Sequence, residues 1–315
     1  MSSNKTAEKR QYENIMDKLV SRIDEMNSPI VAGIDTTLEM IPEAKRISMF
    51  EQFGSTPATA ADLLLSYNKT IIDSISDLVP AVKPQIAMYE KYGLDGIRAY
   101  LETIEYARSK GLIVIGDIKR GDIASTAEAY ASHLSGVEIE GNTFDTWQED
   151  MVTVNPYFGI DGINPFTKAC KETGKGIFVL VKTSNPGSGE LQDLLLIKGC
   201  PVYMTIAMLA ESWGADMIGA QGFSSVGIVV GATHPETGRQ LRDEFPKLFF
   251  LVPGYGAQGA TAEDLQGFFN SDGRGCLINS SRGIIAAWQK DRRFDAGNVG
   301  EAAREAVLKM KAALQ

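Results

Sequence analysis

Gly111-Leu-Ile-Val-Ile-Gly-Asp-Ile-Lys-Arg-Gly-Asp122 is an apolar run that ends in charge. The first half reads as a buried parallel strand, because such strands lack polar alternation. Side chains alternate faces along a strand, so Asp117 and Lys119 are expected on one face. Asp122 follows just past the strand end, where a loop can turn it back toward the same space. Two carboxylates and an ammonium thus meet at the C-terminal edge of a buried strand. Burying charge is costly unless it is paired. The group is therefore either a structural ion pair closing the strand or an electrostatic site that holds a lysine charged.

Seven further apolar segments stand beside this one, giving strands at 29–35, 81–86, 112–119, 151–157, 176–183, 226–232, 247–253 and 275–281. Helical spacing fills the gaps: Ala61 to Ile75, Leu94 to Lys110, Val202 to Trp213 and Ala262 to Asn270. Strands alternating with helices imply a parallel sheet with crossover connections. Eight such units predict a (β/α)8 TIM barrel with an extra N-terminal helix. A doubly wound sheet is the alternative, but no GxGxxG follows the first strand. The extra helix, within residues 1–28, carries Tyr12, Ile15, Met16, Leu19, Val20, Ile23 and Met26 at 3–4 spacing and is expected to cover the barrel bottom. A last helix runs from about Gly300 to Leu314. No repeat or linker divides the chain, so residues 1–315 read as one domain. The Gly54-Ser-Thr-Pro57 stretch reads as a mobile excursion near the site or a surface loop.

In such barrels chemistry sits at the C-terminal strand ends. Here those ends carry Asp35, then Lys83-Pro-Gln85, the opening motif, Lys182-Thr-Ser-Asn-Pro-Gly187, Pro253-Gly-Tyr-Gly-Ala-Gln-Gly259 and Asn279-Ser-Ser-Arg-Gly283. The glycines after the seventh strand permit positive φ and close backbone approach to an anion. Arg282, one strand later, can fork onto phosphate. Of the two histidines, His133 reads as a surface or capping residue and His234 as a loop residue.

The chain has 315 residues, 44% hydrophobic and 23% charged, with net charge −9. An acidic surface argues against a nucleic-acid partner. Cys170, Cys200 and Cys276 lack any CxxC spacing and fit buried thiols in a reducing compartment. No apolar run is long enough to span a bilayer, and the N-terminus lacks a signal-peptide core. A soluble, cytoplasmic protein is expected.

Taken together, these motifs resemble the orotidine 5'-phosphate decarboxylase family, in its longer type 2 branch. Asp117, Lys119 and Asp122 match the DxKxxD signature, continued by Ile123 and Thr126, and the four other strand-end motifs match in order from about residue 29 to 290. The resemblance implies conversion of orotidine monophosphate to uridine monophosphate and CO2 with neither metal nor cofactor. It makes Lys119 the proton donor to pyrimidine carbon 6, with Asp117 near the departing carboxylate and Lys83 and Asp122 completing the array. It assigns ribose contacts to Asp35 and Lys83, a pyrimidine contact to Ser184, phosphate contacts to Gln258 and Arg282, and a substrate contact to Pro253. It further implies a homodimer with shared sites, in which Asp122, Ile123 and Thr126 reach the partner's substrate. The rivals are a Mg²⁺-dependent sugar-phosphate decarboxylase or aldolase, a Schiff-base aldolase using Lys119, and a silent phosphate-ligand sensor. The first typically has an acidic residue where Lys83 stands.

Overall fold

A closed ring of eight parallel strands forms the centre of the computed structural model, which describes residues 14–197, 199–256 and 259–315. The strands are Ile30–Ile34, Ala81–Pro84, Ile113–Arg120, Met151–Val154, Gly176–Lys182, Val226–Val230, Phe250–Pro253 and Cys276–Ser280. Each pairs with the next, and the first closes on the eighth with Ile30 opposite Ile278. The expected strand centres hold, but every strand except the third is shorter than its apolar run. The fourth stops at Val154, the second at Pro84, and the seventh begins at Phe250. Proline has no N–H to extend a ladder, which suits the early end at Pro84.

Helices cover the outside. Pro57–Ile75 starts earlier than the apolar spacing indicates, because Thr56 caps it by accepting the Thr59 N–H and Pro57 occupies the first turn. Gly54-Ser-Thr-Pro57 is an exposed turn between this helix and Glu43–Phe53, a helix with no fully buried residue and so no apolar stripe to announce it. The remaining helices include Gly93–Ser109, Ala124–Ser135, Ile160–Thr173, Val202–Gly214, Pro235–Glu244 and Val299–Ala313. A small hairpin of Val137–Ile139 and Asn142–Phe144 is an addition that its exposed side chains hid from the hydrophobic pattern.

The helix Ile15–Met26 begins at Asn14, whose side chain accepts the Met16 N–H. Tyr12, expected on its stripe, lies outside the described residues. Ile15, Met16, Leu19 and Val20 are buried with Val31, Ala81, Ile113, Ile115 and Phe178, the inward residues near the strand starts. Twelve residues form a marginal helix alone. Burial of those four side chains, each contributing roughly 1.5–3 kcal/mol before entropy, decides its place. Asp17 then accepts the Ala220 and Gln221 N–H groups at 2.8 and 2.7 Å and ties the helix to the sixth-strand side.

His133 corrects its reading as a surface or capping residue. It is buried, 2.6 Å from Glu149 through Nδ1, and stacks on Trp147. Tyr100 also donates to Glu149. Gly116 leaves the space this carboxylate fills, since a Cβ there would lie 2.2 Å from Glu149 Oε1. Cys170 and Cys276 are buried and Cys200 is half-buried. Among the described residues no helix is long and apolar enough to cross a membrane.

Candidate active site

The third strand supplies the centre of the site, but not by simple alternation. Its pairing with the fourth strand shifts between Gly116 and Arg120, which is a bulge. Lys119 takes a left-handed backbone there, with φ +46°. Its N–H leaves the ladder and donates to Thr153 Oγ1 at 3.0 Å. The Lys119 ammonium bends back to Asp117 Oδ1 at 2.5 Å. Thr153 donates to the same oxygen at 2.9 Å. The other oxygen, Oδ2, accepts from Lys83 at 2.6 Å and from Gln85 at 3.0 Å. A carboxylate has about four lone-pair sites, and all of those on Asp117 are engaged.

The electrostatics follow from that saturation. Burial alone would raise the Asp117 pKa, but Lys83 and Lys119 outweigh it and hold the carboxyl well below the usual range. Burial alone would discharge Lys83, yet Asp117 and then Asp35 reverse the balance and raise its pKa. Asp35 Oδ1 lies 3.9 Å from the Lys83 ammonium. The order Asp35, Lys83, Asp117, Lys119 is thus an alternating row. Lys119 is its exposed end, with 44% of its side chain accessible against 5% for Lys83.

Two cavities meet at this row, sharing Lys83, Asp117, Lys119 and Pro253 in their walls. One has an apolar floor of Leu180, Val229 and Leu251, rimmed by Thr153, Thr183, Ser184 and Asn185. The other is the more polar of the two and runs past Asp35, Thr37 and Asn279 to Gly254, Tyr255, Ser281 and Arg282. Their volumes, about 320 and 390 Å³, suit two parts of one small ligand. Asp35 Oδ1 and Asn279 Oδ1 are buried without a hydrogen-bond partner among the described residues. Orphaned acceptors lining a cavity are groups that a ligand can satisfy. Gly254 and Gly256 have φ of +110° and +69°, so the turn after the seventh strand does use the freedom of glycine. Gln258 lies outside the described residues. Gly33 lets the first and eighth strand ends close up, since a Cβ there would sit 1.9 Å from Ser281 Oγ.

Lys119, Asp117, Lys83, Asp35, Ser184, Pro253 and Arg282 are therefore gathered around one bipartite space. Asp122, Ile123 and Thr126 are not. They open the helix Ala124–Ser135 and line neither cavity, and Asp122 does not turn back into its own barrel. Asp122 instead accepts the Ile123 N–H at 2.8 Å. Around them lie exposed apolar side chains: Ile123 at 50%, Tyr157 at 77%, Phe158 at 45% and Ile160 at 50% accessible. Thr153 was not anticipated. Its signal is a polar residue inside the otherwise apolar, fully buried strand Met151–Val154.

Known proteins agree with this geometry. The sequence profile described as Orotidine 5'-phosphate decarboxylase / HUMPS family matches residues 58–296. An orotidine 5'-phosphate decarboxylase of Clostridium tetani is 41% identical over 298 residues, covering 94% of this chain and 96% of that protein. One from Petrotoga mobilis is 40% identical over 307 residues, covering 96% and 98%. The solved structure of Leishmania donovani OMP decarboxylase superposes with a TM-score of 0.69 at 31% identity, covering 95% and 99%. The chain belongs to the orotidine 5'-phosphate decarboxylase / HUMPS family.

Proposed function

We infer that the chain is an orotidine 5'-phosphate decarboxylase, which releases CO2 from carbon 6 of the pyrimidine and leaves uridine monophosphate. The observation that carries the residue roles is the saturated Asp117, placed where an apolar-floored cavity meets a more polar one. Departure of CO2 leaves an electron pair on a ring carbon. Lys119, the exposed end of the row, stabilises that charge and then delivers its proton to carbon 6. Asp117 lies beside the departing carboxylate and holds the Lys119 ammonium in place. The ring occupies the cavity floored by Leu180, Val229 and Leu251, with Ser184 at its edge. Asp35 and Lys83 take the ribose hydroxyls, and Arg282 with the glycine turn takes the phosphate. Pro253, in both cavities, spans base and sugar. Gln258 is assigned to the phosphate by resemblance. Phosphate binding remote from the chemistry supplies energy that can raise turnover as well as affinity.

A divalent ion at Asp117 would have to displace two ammonium groups, so the magnesium-dependent rival is not favoured. The test is loss of orotidine monophosphate absorbance, with and without excess chelator. No turnover, or turnover abolished by chelator, would overturn this mechanism.

The shared site belongs to the same reading. Asp122, Ile123 and Thr126 line neither cavity of their own chain, and Ile123, Tyr157, Phe158 and Ile160 are exposed apolar side chains. A two-fold dimer through this face would deliver Asp122 to the partner's array and cover the apolar patch. Lys119→Ala and Asp122→Ala proteins would each be nearly inactive. Mixed and allowed to exchange, they would recover up to about a quarter of wild-type activity, since about half the dimers are mixed and each of those has one intact site of two. Demonstrated exchange with no recovered activity would mean that Asp122 acts within its own chain.

A further inference from the structure

The loop after the fifth strand is closed by two successive rungs. Lys182 ends the strand with 1% of its side chain exposed, and its ammonium lies 2.6 Å from Asp193 Oδ1. One step inward, Gln192 Oε1 accepts the Thr183 N–H at 2.9 Å, while Gln192 Nε2 donates to Thr183 Oγ1 at 2.8 Å. The opposite side is held as well. His234 Nε2 lies 3.1 Å from the Thr183 carbonyl, and Thr233 donates to the Ser184 carbonyl at 3.2 Å. Gly231 allows this seat, because a Cβ there would approach Ser184 Cα to 2.7 Å.

These bonds leave a definite remainder. Both carbonyls of Thr183 and Ser184, the Thr183 N–H and the Thr183 hydroxyl are engaged. Among the described residues, the Ser184 N–H and hydroxyl are the polar groups of the pair without a protein partner. Ser184 lines the apolar-floored cavity, whereas Gln192, Asp193 and His234 line neither cavity. A fixed N–H can only donate. It suits the carbonyl of a uracil edge and opposes the amino group of a cytosine edge.

The geometry points to Gln192, backed by the Lys182–Asp193 pair and His234, as a positioning residue that sets which base the site accepts. It fixes the Thr183–Ser184 edge so that the Ser184 N–H meets a carbonyl. This inference rests on the decarboxylase reading and extends it to base selectivity.

The experiment measures inhibition by UMP, CMP and ribose 5-phosphate, which lacks a base. Wild-type enzyme is expected to prefer UMP. Gln192→Met keeps the side-chain volume and removes both bonds. The ratio of UMP to CMP affinity should fall by about tenfold or more, while ribose 5-phosphate binds within about twofold of wild type. Gln192→Glu retains the acceptor for the Thr183 N–H. Its added charge would weaken all three anions together, with the UMP-to-CMP ratio kept. Should Gln192→Met not fold, His234→Leu reads the same ratio from the opposite side. An equal loss for all three ligands in Gln192→Met, or an unchanged ratio, would overturn the role of Gln192 alone. Wild-type protein that binds no UMP would overturn the decarboxylase reading beneath it.

Discussion

Replacing Lys119 separates the chemistry of the site from its stability, because the two depend on different bonds. In Lys119→Ala the Asp117 carboxylate loses one donor but keeps Lys83 at 2.6 Å, Thr153 at 2.9 Å and Gln85 at 3.0 Å. It is not left as a bare buried charge, and the lost partner is almost half exposed. A destabilisation of about 1 kcal/mol or less follows. The rate should respond on another scale. Removing a positioned proton donor costs about 10²–10⁴, and removing a fixed charge aimed at the developing carbanion costs about 10²–10³. The lower limits already combine to roughly 10⁴, or about 5.4 kcal/mol. Lys119→Gly adds a control on the backbone. At φ +46° an alanine bears about 1–2 kcal/mol of strain that glycine does not. The glycine variant should therefore be as stable as the alanine variant or more so, against the usual order in a strand, and be equally inactive. Absorbance assays give the rate, binding of UMP shows that the site persists, and urea midpoints give the stabilities. Activity of Lys119→Ala within tenfold of wild type would refute the assigned chemistry. A glycine variant less stable by about 1 kcal/mol would refute the strained backbone.

Arg282→Ala should weaken orotidine monophosphate by about 1.5–3 kcal/mol and leave orotidine nearly unaffected, because the lost bond is to the phosphate; equal losses in the two KM values would make the arginine structural. The pH dependence has a definite sign. Asp117 is depressed in the folded state, so its contribution is complete above the ordinary carboxylate pKa and is lost as pH falls below it. Lys83 is raised, so its contribution is complete below the ordinary lysine pKa and is lost as pH rises through the folded value. Asp117→Asn leaves Lys83 buried beside a neutral amide and should cost about 3–5 kcal/mol at neutral pH; denaturation at pH 3 and pH 6 should show a smaller acid loss in the variant than in wild type. Gly116→Ala drives a methyl group into Glu149 and should cost about 1–3 kcal/mol, read as a urea midpoint at pH 7.

The barrel is legible in the sequence because each strand is buried on both faces and reads as an unbroken apolar run, as in Ile113-Val-Ile-Gly116. Polar groups at the ends of such runs have few other reasons to be there, which exposed Lys83, Asp117, Lys119 and Arg282. What stayed hidden depends on partners chosen in three dimensions. Strand periodicity brings Asp117 and Lys119 to one face, whereas the structure reaches the same ion pair through a bulge and a left-handed residue. His133 sits in an unremarkable helix. Only its juxtaposition with Glu149, sixteen residues away and fully buried, makes it a core residue. Glu43–Phe53 and the Val137–Phe144 hairpin escaped because neither buries a patterned apolar face.

The charge count of one chain explains why the array needs something more. Asp35, Lys83, Asp117 and Lys119 sum to zero, and Asp117 has no acceptor site left. A neutral, saturated row is stable, but it exerts little net force on a substrate carboxylate placed beside it. A third carboxylate at the exposed end would change that. It would make the row negative where the substrate's own negative charge must leave as neutral CO2. Asp122 is the carboxylate of the motif that lines neither cavity of its own chain: it is half-buried, its carbonyl lies near Phe158 across Gly162, and among the described residues its side chain bonds only its neighbour's N–H. A site completed only on association keeps the unliganded chain free of an uncompensated negative cluster. In the dimer proposed above the catalytic field would depend on association, so dilution below its dissociation constant should remove turnover before it removes the fold.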